Sequence, residues 1–217
     1  PLRLKIVCRL SERYRFFHPM LEFIEVFWLR DGFDIICGNP PWLKYTFEGA
    51  DIISDKYPEV AIRRLKAPEV QYMKKIFMSN STLAEFYNSE ELETTCSIAF
   101  MNAYANYPLL VGQQTNLYKC VLVNGFDQLN EAGIMGVLHP ETVYDDPHGQ
   151  PLRAIIYPRL RFHFQFKNEL LLFAEIGDRK DYSVNILGCS HDYISFDNIN
   201  NLYHPCTIDA CYAHEGH

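Results

Sequence analysis

Several common features are missing from this sequence, and each absence argues against a class of protein. No stretch approaches the roughly 20 consecutive apolar residues that a membrane helix requires, although 48% of the 217 residues are hydrophobic. There is no Cys-x-x-Cys pair, and the seven cysteines are scattered, whereas a disulfide framework has dense, even-numbered cysteines. The sequence therefore favours a cytoplasmic globular protein with reduced thiols and no membrane-spanning segment.

A strongly basic charge balance is also missing. The chain has 20 Lys and Arg residues against 27 Asp and Glu, a formal charge of −7, whereas domains that bind nucleic acid over their whole surface are usually basic. Positive charge is local, with a basic stretch from Lys56 to Lys75. No metal site is predicted, because the one cluster of suitable side chains matches no common zinc spacing: His204, Cys206, Cys211 and His214.

Two short apolar runs have the form of buried parallel strands. Residues 34–37 lie between Gly32 and Gly38-Asn39-Pro40-Pro41, and residues 133–138 end at His139-Pro140. Neither run alternates with polar residues, as is typical of strands covered on both faces. The spacing of apolar residues predicts helices between them, over 61–78, 97–110 and 118–129.

The remainder predicts a short helix over 151–160 and further strands at 162–166, 170–174 and 183–187, the last two joined by a turn at 177–180. Parallel strands joined by helices and followed by an antiparallel pair predict an α/β layered sheet. Residues 191–217 are polar and rich in turns, which predicts a linker. Ligands of such sheets bind beyond the carboxyl ends of the strands, where Asn39 and His139 stand.

Asn39-Pro40-Pro41-Trp42 follows the first of these strands directly. Each proline fixes its own φ near −65° and lacks an N–H donor, and the residue before a proline is pushed into an extended conformation. The four residues predict a stiff segment that presents the Asn39 side chain and the Pro40 carbonyl as acceptors beside an aromatic ring. The same pattern is also compatible with a rigid turn that simply ends a strand.

Such a pair of acceptors suits the methylation of an exocyclic amine. The lone pair of an adenine amino group is delocalised into the ring, so the nitrogen is a poor nucleophile. Two acceptors that bind its two hydrogens would orient the nitrogen and favour the positive charge that develops during transfer. An aromatic side chain that stacks on the base would contribute about 1–3 kcal/mol.

The flanking residues closely resemble the N-6 adenine-specific DNA methyltransferases of type IIG restriction–modification systems. Residues 21–27 read LEFIEVF and residues 32–42 read GFDIICGNPPW, where that family typically has LEFPEVF and GFDVIIGNPPW. Ile24 replaces the usual proline, and Cys37 is unusual in the strand. Further similarity covers Gln114–Tyr118 (QTNLY), 133–140 (GIMGVLHP) and Leu152-Arg153.

The resemblance implies a class I S-adenosylmethionine-dependent methyltransferase. By this likeness Asn39 and Pro40 would bind the target amino group, with Pro41 completing the catalytic segment, and Trp42 would stack on an adenine flipped out of double-stranded DNA. Phe173 would be a second aromatic against the base, although a core role is the simpler interpretation. Basic side chains that could contact phosphates are Lys44, Arg63, Arg64 and Lys66. A separate restriction or specificity partner is also possible, and no membrane is implied.

The resemblance also indicates what the chain does not contain. The family's cofactor half carries a Gly-rich turn before the NPPW strand, but no Gly-x-Gly occurs in this sequence. We therefore expect residues 1–190 to be the C-terminal part of a catalytic domain with a helical insertion at about 44–131, followed by a linker at 191–217. We expect such a fragment to be inactive alone and the cofactor, S-adenosylmethionine, to bind in the parent protein.

Two other interpretations stay open at the level of the sequence. Protein glutamine methyltransferases use a similar Asn-Pro-Pro-aromatic segment around an amide nitrogen, but usually carry Tyr at the position of Trp42 and lack the long helical insertion. A non-catalytic DNA-binding or interaction module would need no cofactor half at all.

Overall fold

A computed structural model describes residues 1–174 and 176–214. The protein is a mixed α/β structure, as the sequence predicts, with eleven helices and five strands in the described part. The helices are α1 (Leu2–Tyr14), α2 (Pro19–Glu22), α3 (Ile24–Arg30), α4 (Gly49–Lys56), α5 (Glu59–Ile62), α6 (Ala67–Met78), α7 (Ser81–Met101), α8 (Leu117–Gln128), α9 (Thr142–Asp145), α10 (Gln150–Ile156) and α11 (Cys206–Ala213). The strands are β1 (Phe33–Gly38), β2 (Leu129–Pro140), β3 (Leu160–Lys167), β4 (Asp181–Leu187) and β5 (Asp197–Leu202).

The five strands form one mixed sheet in the order β1-β2-β4-β3-β5. β1 pairs with β2 in parallel, with Gly38 opposite Val137, whereas β3 and β4 are antiparallel. β5 runs parallel to β3. The predicted parallel pair is therefore confirmed. An antiparallel pair is also present, but it is formed by β3 and β4 and not by residues 170–174 and 183–187. Residues 197–202, within the segment expected as a linker, form a strand of this sheet.

The described chain divides into two compact units, and each is described by itself. The first contains Pro1–Asn39, Asn124–Leu138 and Ile156–His217, and so holds most of the sheet with α1, α2, α3 and α11. Its best-buried part is the β3–β4 pair, where Phe166 stacks on its register partner Tyr182 at 5.4 Å between ring centroids. Leu160 and Leu187 are also fully buried there.

The second unit contains Pro40–Val123 and His139–Ile155. Its core is a cluster between α4, α5, α6 and α7, formed by Ile53, Val60, Phe77 and Tyr87. The ring of Tyr87 packs edge-on against Phe77 at 6.2 Å. The helical region expected after the NPPW strand is thus a packed helical core of its own.

Two expectations about strands are wrong. β1 is not covered on both faces, since Ile35 is 71% exposed. β1 is also an edge strand of the sheet. Residues 170–174 form no strand: a 3-10 turn covers Asn168–Leu170, and the residues after it belong to the connection between β3 and β4. The antiparallel partner of β4 is β3, whose side chains alternate and bury one apolar face.

Gly32, at the start of β1, occupies a position that requires a glycine. Gly32 has φ +133°, and a Cβ atom at this position would lie 2.7 Å from the Asn130 amide nitrogen and 2.7 Å from the Gln128 carbonyl oxygen. Only glycine adopts this conformation without strain. The close approach allows β1 to enter the sheet beside β2.

Candidate functional site

The Asn-Pro-Pro-Trp segment begins where β1 ends. Asn39 follows Gly38 directly and is exposed, Pro40 is buried, Pro41 is exposed and Trp42 is half-buried. Because β1 and β2 are parallel and Gly38 lies opposite Val137, the two strands end at the same edge of the sheet. The structure therefore places the Asn39 side chain at a carboxyl-terminal strand end, the position that ligands prefer in α/β sheets.

The chain that leaves Trp42 is held by backbone pairing with a distant segment. The Leu117 amide donates to the Leu43 carbonyl at 3.1 Å, and the Tyr45 amide donates to the Thr115 carbonyl at 3.2 Å. Between them, Lys44 and Asn116 form an antiparallel bridge. The direction in which the chain leaves the Pro-Pro segment is therefore set by residues more than seventy positions later in the sequence.

The same distant segment begins α8 and carries a buried lysine. Lys119 Nζ donates to Asp146 Oδ2 at 2.6 Å and to Gln113 Oε1 at 3.0 Å. Burial alone would raise the pKa of Asp146, but the hydrogen bond from Lys119, that from the His148 amide and the positive charge of Lys119 together hold it below its ordinary value. Sequence reasoning missed this pair. Its one signal is a lysine inside the apolar run of α8, since a buried charge needs a partner.

Tyr118, the neighbour of Lys119, also reaches the residues at the end of β2. Its hydroxyl lies 2.8 Å from Thr142 Oγ1, and its ring stacks on His139 with centroids 5.5 Å apart. His139 Nδ1 lies 2.9 Å from the Pro140 carbonyl oxygen, which can only accept, so this nitrogen carries a proton. Burial raises the pKa of Tyr118 well above its ordinary range, so the phenol stays neutral and able to donate.

Phe173 lies in the connection between β3 and β4 and not in a strand. Its amide donates to Asn168 Oδ1 at 3.1 Å, and its carbonyl accepts from Asn168 Nδ2 at 2.9 Å. The ring packs edge-on against Tyr182 with centroids 4.9 Å apart. Phe173 is half-buried, so it has a packing partner within its own unit and a partly accessible ring.

The candidate phosphate contacts are all exposed. Arg63, Arg64 and Lys66 lie on the turn between α5 and α6, where Arg64 has a left-handed φ of 49°. Lys66 precedes α6, and its amide donates to Glu69 Oε2 at 2.9 Å, which fixes the end of the turn. The Lys44 side chain is exposed as well. The turn thus presents three cations to solvent on an ordered backbone.

Two features are absent from the described ranges 1–174 and 176–214: a side-chain group that could hold a metal ion and a helix that could cross a membrane. These ranges contain no group of three or more His, Cys, Asp or Glu side chains arranged to hold a metal ion. In the C-terminal group of His and Cys residues, His204 accepts a hydrogen bond from the Cys206 amide at 3.2 Å. Across the same ranges, no helix is long and apolar enough to cross a membrane.

Within the described residues, the connections after the parallel strands do not form a recognisable S-adenosylmethionine site. β1 and β2, the parallel strands, are followed by Asn-Pro-Pro-Trp and by His139-Pro140, and neither connection contains a Gly-rich turn. In the part of the chain that the structure describes, β1 is hydrogen-bonded to β2 and forms an edge of the sheet.

Comparisons with known proteins returned solved structures alone, since no family model and no curated protein matches the chain. The methyltransferase subunit of a type I restriction-modification system from Streptococcus thermophilus is 12% identical with a TM-score of 0.45, covering 84% of this chain and 31% of that one. DrdV in a complex with DNA is 14% identical with a TM-score of 0.41, covering 85% and 16%. The ATP-dependent type ISP restriction-modification enzyme LlaBIII, bound to DNA, is 10% identical with a TM-score of 0.39, covering 80% and 10%.

This chain therefore spans less than a third of the length of each of these solved chains. All three TM-scores lie below 0.5. We accordingly base the functional proposal on the residues of the chain itself.

Proposed function

We propose that this chain carries the target-base half of an adenine-specific DNA methyltransferase that belongs to a restriction–modification or related phage-defence system. The observation that supports the proposal most directly is the Asn-Pro-Pro-Trp segment at the carboxyl end of β1, with the Asn39 side chain exposed and Trp42 half-buried. The type IIG resemblance of the flanking sequence, on both sides of this segment, supports the same function.

In this proposal the reaction depends on position and not on a strong base. The Asn39 side-chain oxygen and the Pro40 carbonyl accept the two hydrogens of the adenine 6-amino group. The nitrogen is thereby oriented and its developing positive charge is matched by two fixed dipoles, which stabilise the transition state. S-adenosylmethionine supplies the methyl group when it is bound.

The base must leave the DNA duplex to reach these acceptors. Extrusion costs a few kcal/mol, and stacking on an aromatic ring offsets it. Trp42 is the first candidate, because it stands two residues after Pro40 and its indole is partly accessible. Phe173, whose ring is also partly accessible, is the second candidate and would act together with its packing against Tyr182.

Contacts to the DNA backbone are assigned to the turn between α5 and α6. Arg63, Arg64 and Lys66 place three exposed positive charges on this turn, and neutralised phosphates dominate affinity for DNA. Lys44, next to the Pro-Pro segment, is a further candidate. Because the chain as a whole carries a net charge of −7, its attraction for DNA is confined to local basic patches such as this turn. Much of the binding surface belongs to other segments or to a restriction or specificity partner.

The cofactor is assigned to polypeptide outside this chain that adds to the open edge of β1. Parallel sheets are normally covered on both faces, yet Ile35 on β1 and its register partner Ile134 on β2 are both exposed. A parallel strand with its helices would cover this surface and would bring a cofactor-binding turn to the edge where Asn39 lies.

The decisive experiment replaces Asn39 in a protein that contains both halves. We expect Asn39→Ala to reduce the transfer of a labelled methyl group to DNA by about 10²–10³-fold or more, while DNA binding changes little, since one of two oriented acceptors is lost. Asn88→Ala, at an exposed asparagine of α7, is the matched control and should retain full activity.

Three results would contradict the proposal. The first is full activity of the Asn39→Ala protein. The second is methylation of DNA that lacks adenine, and the third is methylation of a glutamine-containing peptide in place of DNA, which would indicate the glutamine methyltransferase function. The 217-residue chain alone serves as the inactive reference, because the proposal assigns the cofactor to other polypeptide.

A further inference from the structure

The Lys119–Asp146 pair joins two segments that are far apart in sequence. Lys119 belongs to the first turns of α8, and Asp146 follows α9 in the residues after β2. The side chains are 4% and 13% exposed, and their charged atoms are 2.6 Å apart. Gln113, itself buried, accepts a second hydrogen bond from Lys119 and donates to the Leu109 carbonyl at 2.7 Å.

Asp146 in turn organises the residues that follow β2. Its Oδ1 accepts from the His148 amide at 2.9 Å, and its carbonyl accepts from Arg153 Nη1 at 2.6 Å. Arg153 extends from α10. Asp146 is therefore hydrogen-bonded not only to Lys119 but also to the turn that follows it and to α10.

On its other side, Lys119 is rigidly connected to the exit of the Pro-Pro segment. Its amide donates to the Asn116 carbonyl at 3.2 Å, and residues 115–117 pair with residues 43–45 through the two backbone hydrogen bonds described above. One residue, Tyr118, separates Lys119 from Leu117, whose amide binds the Leu43 carbonyl. A shift of the first turn of α8 would thus be transmitted to the residue that follows Trp42.

A buried ion pair is a costly way to join two segments if stability is all that matters. Desolvation of both charges offsets much of their attraction, and apolar residues of similar volume often serve as well or better. What the pair provides is direction, because Lys119 Nζ binds Asp146 Oδ2 and Gln113 Oε1 at the same time, and the two acceptors together restrict where the ammonium group can lie. Lys167–Asp181, with side chains 31% and 27% exposed, has the same N–O distance without this burial.

We propose that Lys119 is a positioning residue: through Asp146 and the first turn of α8 it fixes the Pro40–Trp42 segment against the residues that follow β2. The proposal deepens the function proposed above and rests on it for the meaning of that position. It assigns to Lys119 no contact with the base, the cofactor or the reacting atoms.

Trp42 provides a direct test, because the chain has two tryptophans and Trp28 is highly exposed. In a Trp28→Phe background, Trp42 is the single indole reporter. We expect Lys119→Met to raise the acrylamide quenching constant of Trp42 and to shift its emission, with the far-UV circular dichroism unchanged. Lys167→Met is the matched control and should leave the Trp42 signal unchanged, whereas Lys119→Arg, which keeps the charge and the donor, should restore most of it.

An unchanged Trp42 signal in a folded Lys119→Met protein would overturn the proposal. If Lys119→Met does not fold, Asp146→Asn and Gln113→Leu replace it, since each weakens the network but leaves the lysine at least one hydrogen-bond acceptor, and an unchanged signal in both has the same meaning. In the protein that contains both halves, Lys119→Met should lower kcat by roughly 10²-fold with little change in KM, the effect of a small displacement.

The two proposals can fail separately. If Lys119→Met changes the Trp42 signal but Asn39→Ala keeps full activity, the positioning role of Lys119 is supported and the base-binding function is overturned. An unchanged Trp42 signal with an inactive Asn39→Ala variant would do the opposite.

Discussion

Two regions of the sheet in the first unit differ sharply in how much apolar surface they bury: the β1 side, which is β1 with α1, α2 and α3, and the β3–β4 side, which is the antiparallel pair. On the β1 side, α1, α2 and α3 contain no buried residue, and Ile35 of β1 is largely exposed. On the β3–β4 side, Leu160 and Leu187 are each 1% exposed, and Phe166 stacks on Tyr182. Both sides belong to one continuous sheet.

The difference reflects the positions of the strands, because β3 and β4 lie inside the sheet whereas β1 is an edge strand. Side chains directly opposite each other on β3 and β4 also pack side by side on the same face, as Phe166 and Tyr182 do. Phe27 of α3 packs edge-on against Phe33 of β1, with ring centroids 5.4 Å apart, but Ile35 of the same strand stays largely exposed. The β1 side is therefore the less covered part of the sheet.

The largest expected effect is on the free energy of unfolding, when one leucine on each of the two sides is shortened to alanine. Leu187→Ala removes a fully buried side chain from β4 and should lower the free energy of unfolding by about 2–5 kcal/mol, because it loses apolar burial and leaves a cavity. Leu29→Ala, at a residue of α3 that is 76% exposed, should change it by less than about 0.5 kcal/mol. Urea unfolding followed by circular dichroism measures both, and equal losses would break the comparison.

A smaller effect is expected at the entry to β1, where the exposed side has one tightly constrained position. Gly32→Ala would force a Cβ atom against backbone atoms of residues 128–130 at a φ of +133°, which should cost about 1–3 kcal/mol. Gly38→Ala, at the other end of the same strand, meets no atom within 4 Å and should be tolerated. Thermal unfolding of the two variants gives the answer, and a tolerated Gly32→Ala would mean that β1 is not held in this register.

The smallest expected effect concerns two ion pairs of equal length. Lys167–Asp181 on the β3–β4 side and Arg30–Asp34 on the β1 side both have N–O distances of 2.6 Å, but the second is more than half exposed. Lys167→Met should cost up to about 1 kcal/mol and Arg30→Met less, since exposed pairs are screened by water and salt. Denaturant unfolding in low and high salt separates them, and a larger loss for Arg30→Met would contradict the expectation.

The Lys167 pair also has a defined pH dependence. Its hydrogen bond to Asp181 raises the pKa of Lys167 above the ordinary value. The folded state therefore binds this proton more tightly than the unfolded state. The contribution to stability is present below the ordinary lysine pKa of about 10.4 and is lost as the pH rises through the higher pKa of the folded state.

Much of the fold could be predicted from local patterns. The uninterrupted apolar run before Asn39 predicted β1, the run at 133–138 predicted the core of β2, and the apolar spacing after Leu117 predicted α8. The strand predicted at 170–174 is wrong, because its apolar residues belong to a connection held by Asn168, which binds the Phe173 backbone at both its amide and its carbonyl. A short apolar run does not reveal whether its backbone groups find a strand or a side chain as partner.

The candidate site divides in the same way. Asn39, Pro40, Pro41 and Trp42 could be chosen from the sequence, since their conformational restrictions are local and they act as one continuous segment. The Lys119–Asp146 pair could not be chosen, because its members are separated by 27 positions. Each of them alone is an ordinary charged residue.

The sequence by itself determined the local stiffness of Asn-Pro-Pro-Trp, the placement of this segment directly after a strand, and the α/β class. Proline geometry and apolar periodicity act within a few residues, so no tertiary information is needed for them. The tertiary structure alone decided that β1 is an uncovered edge and that residues 115–119 hold the exit of the segment. Those features depend on which distant groups share hydrogen bonds and which surfaces lose water, and both are properties of the folded chain as a whole.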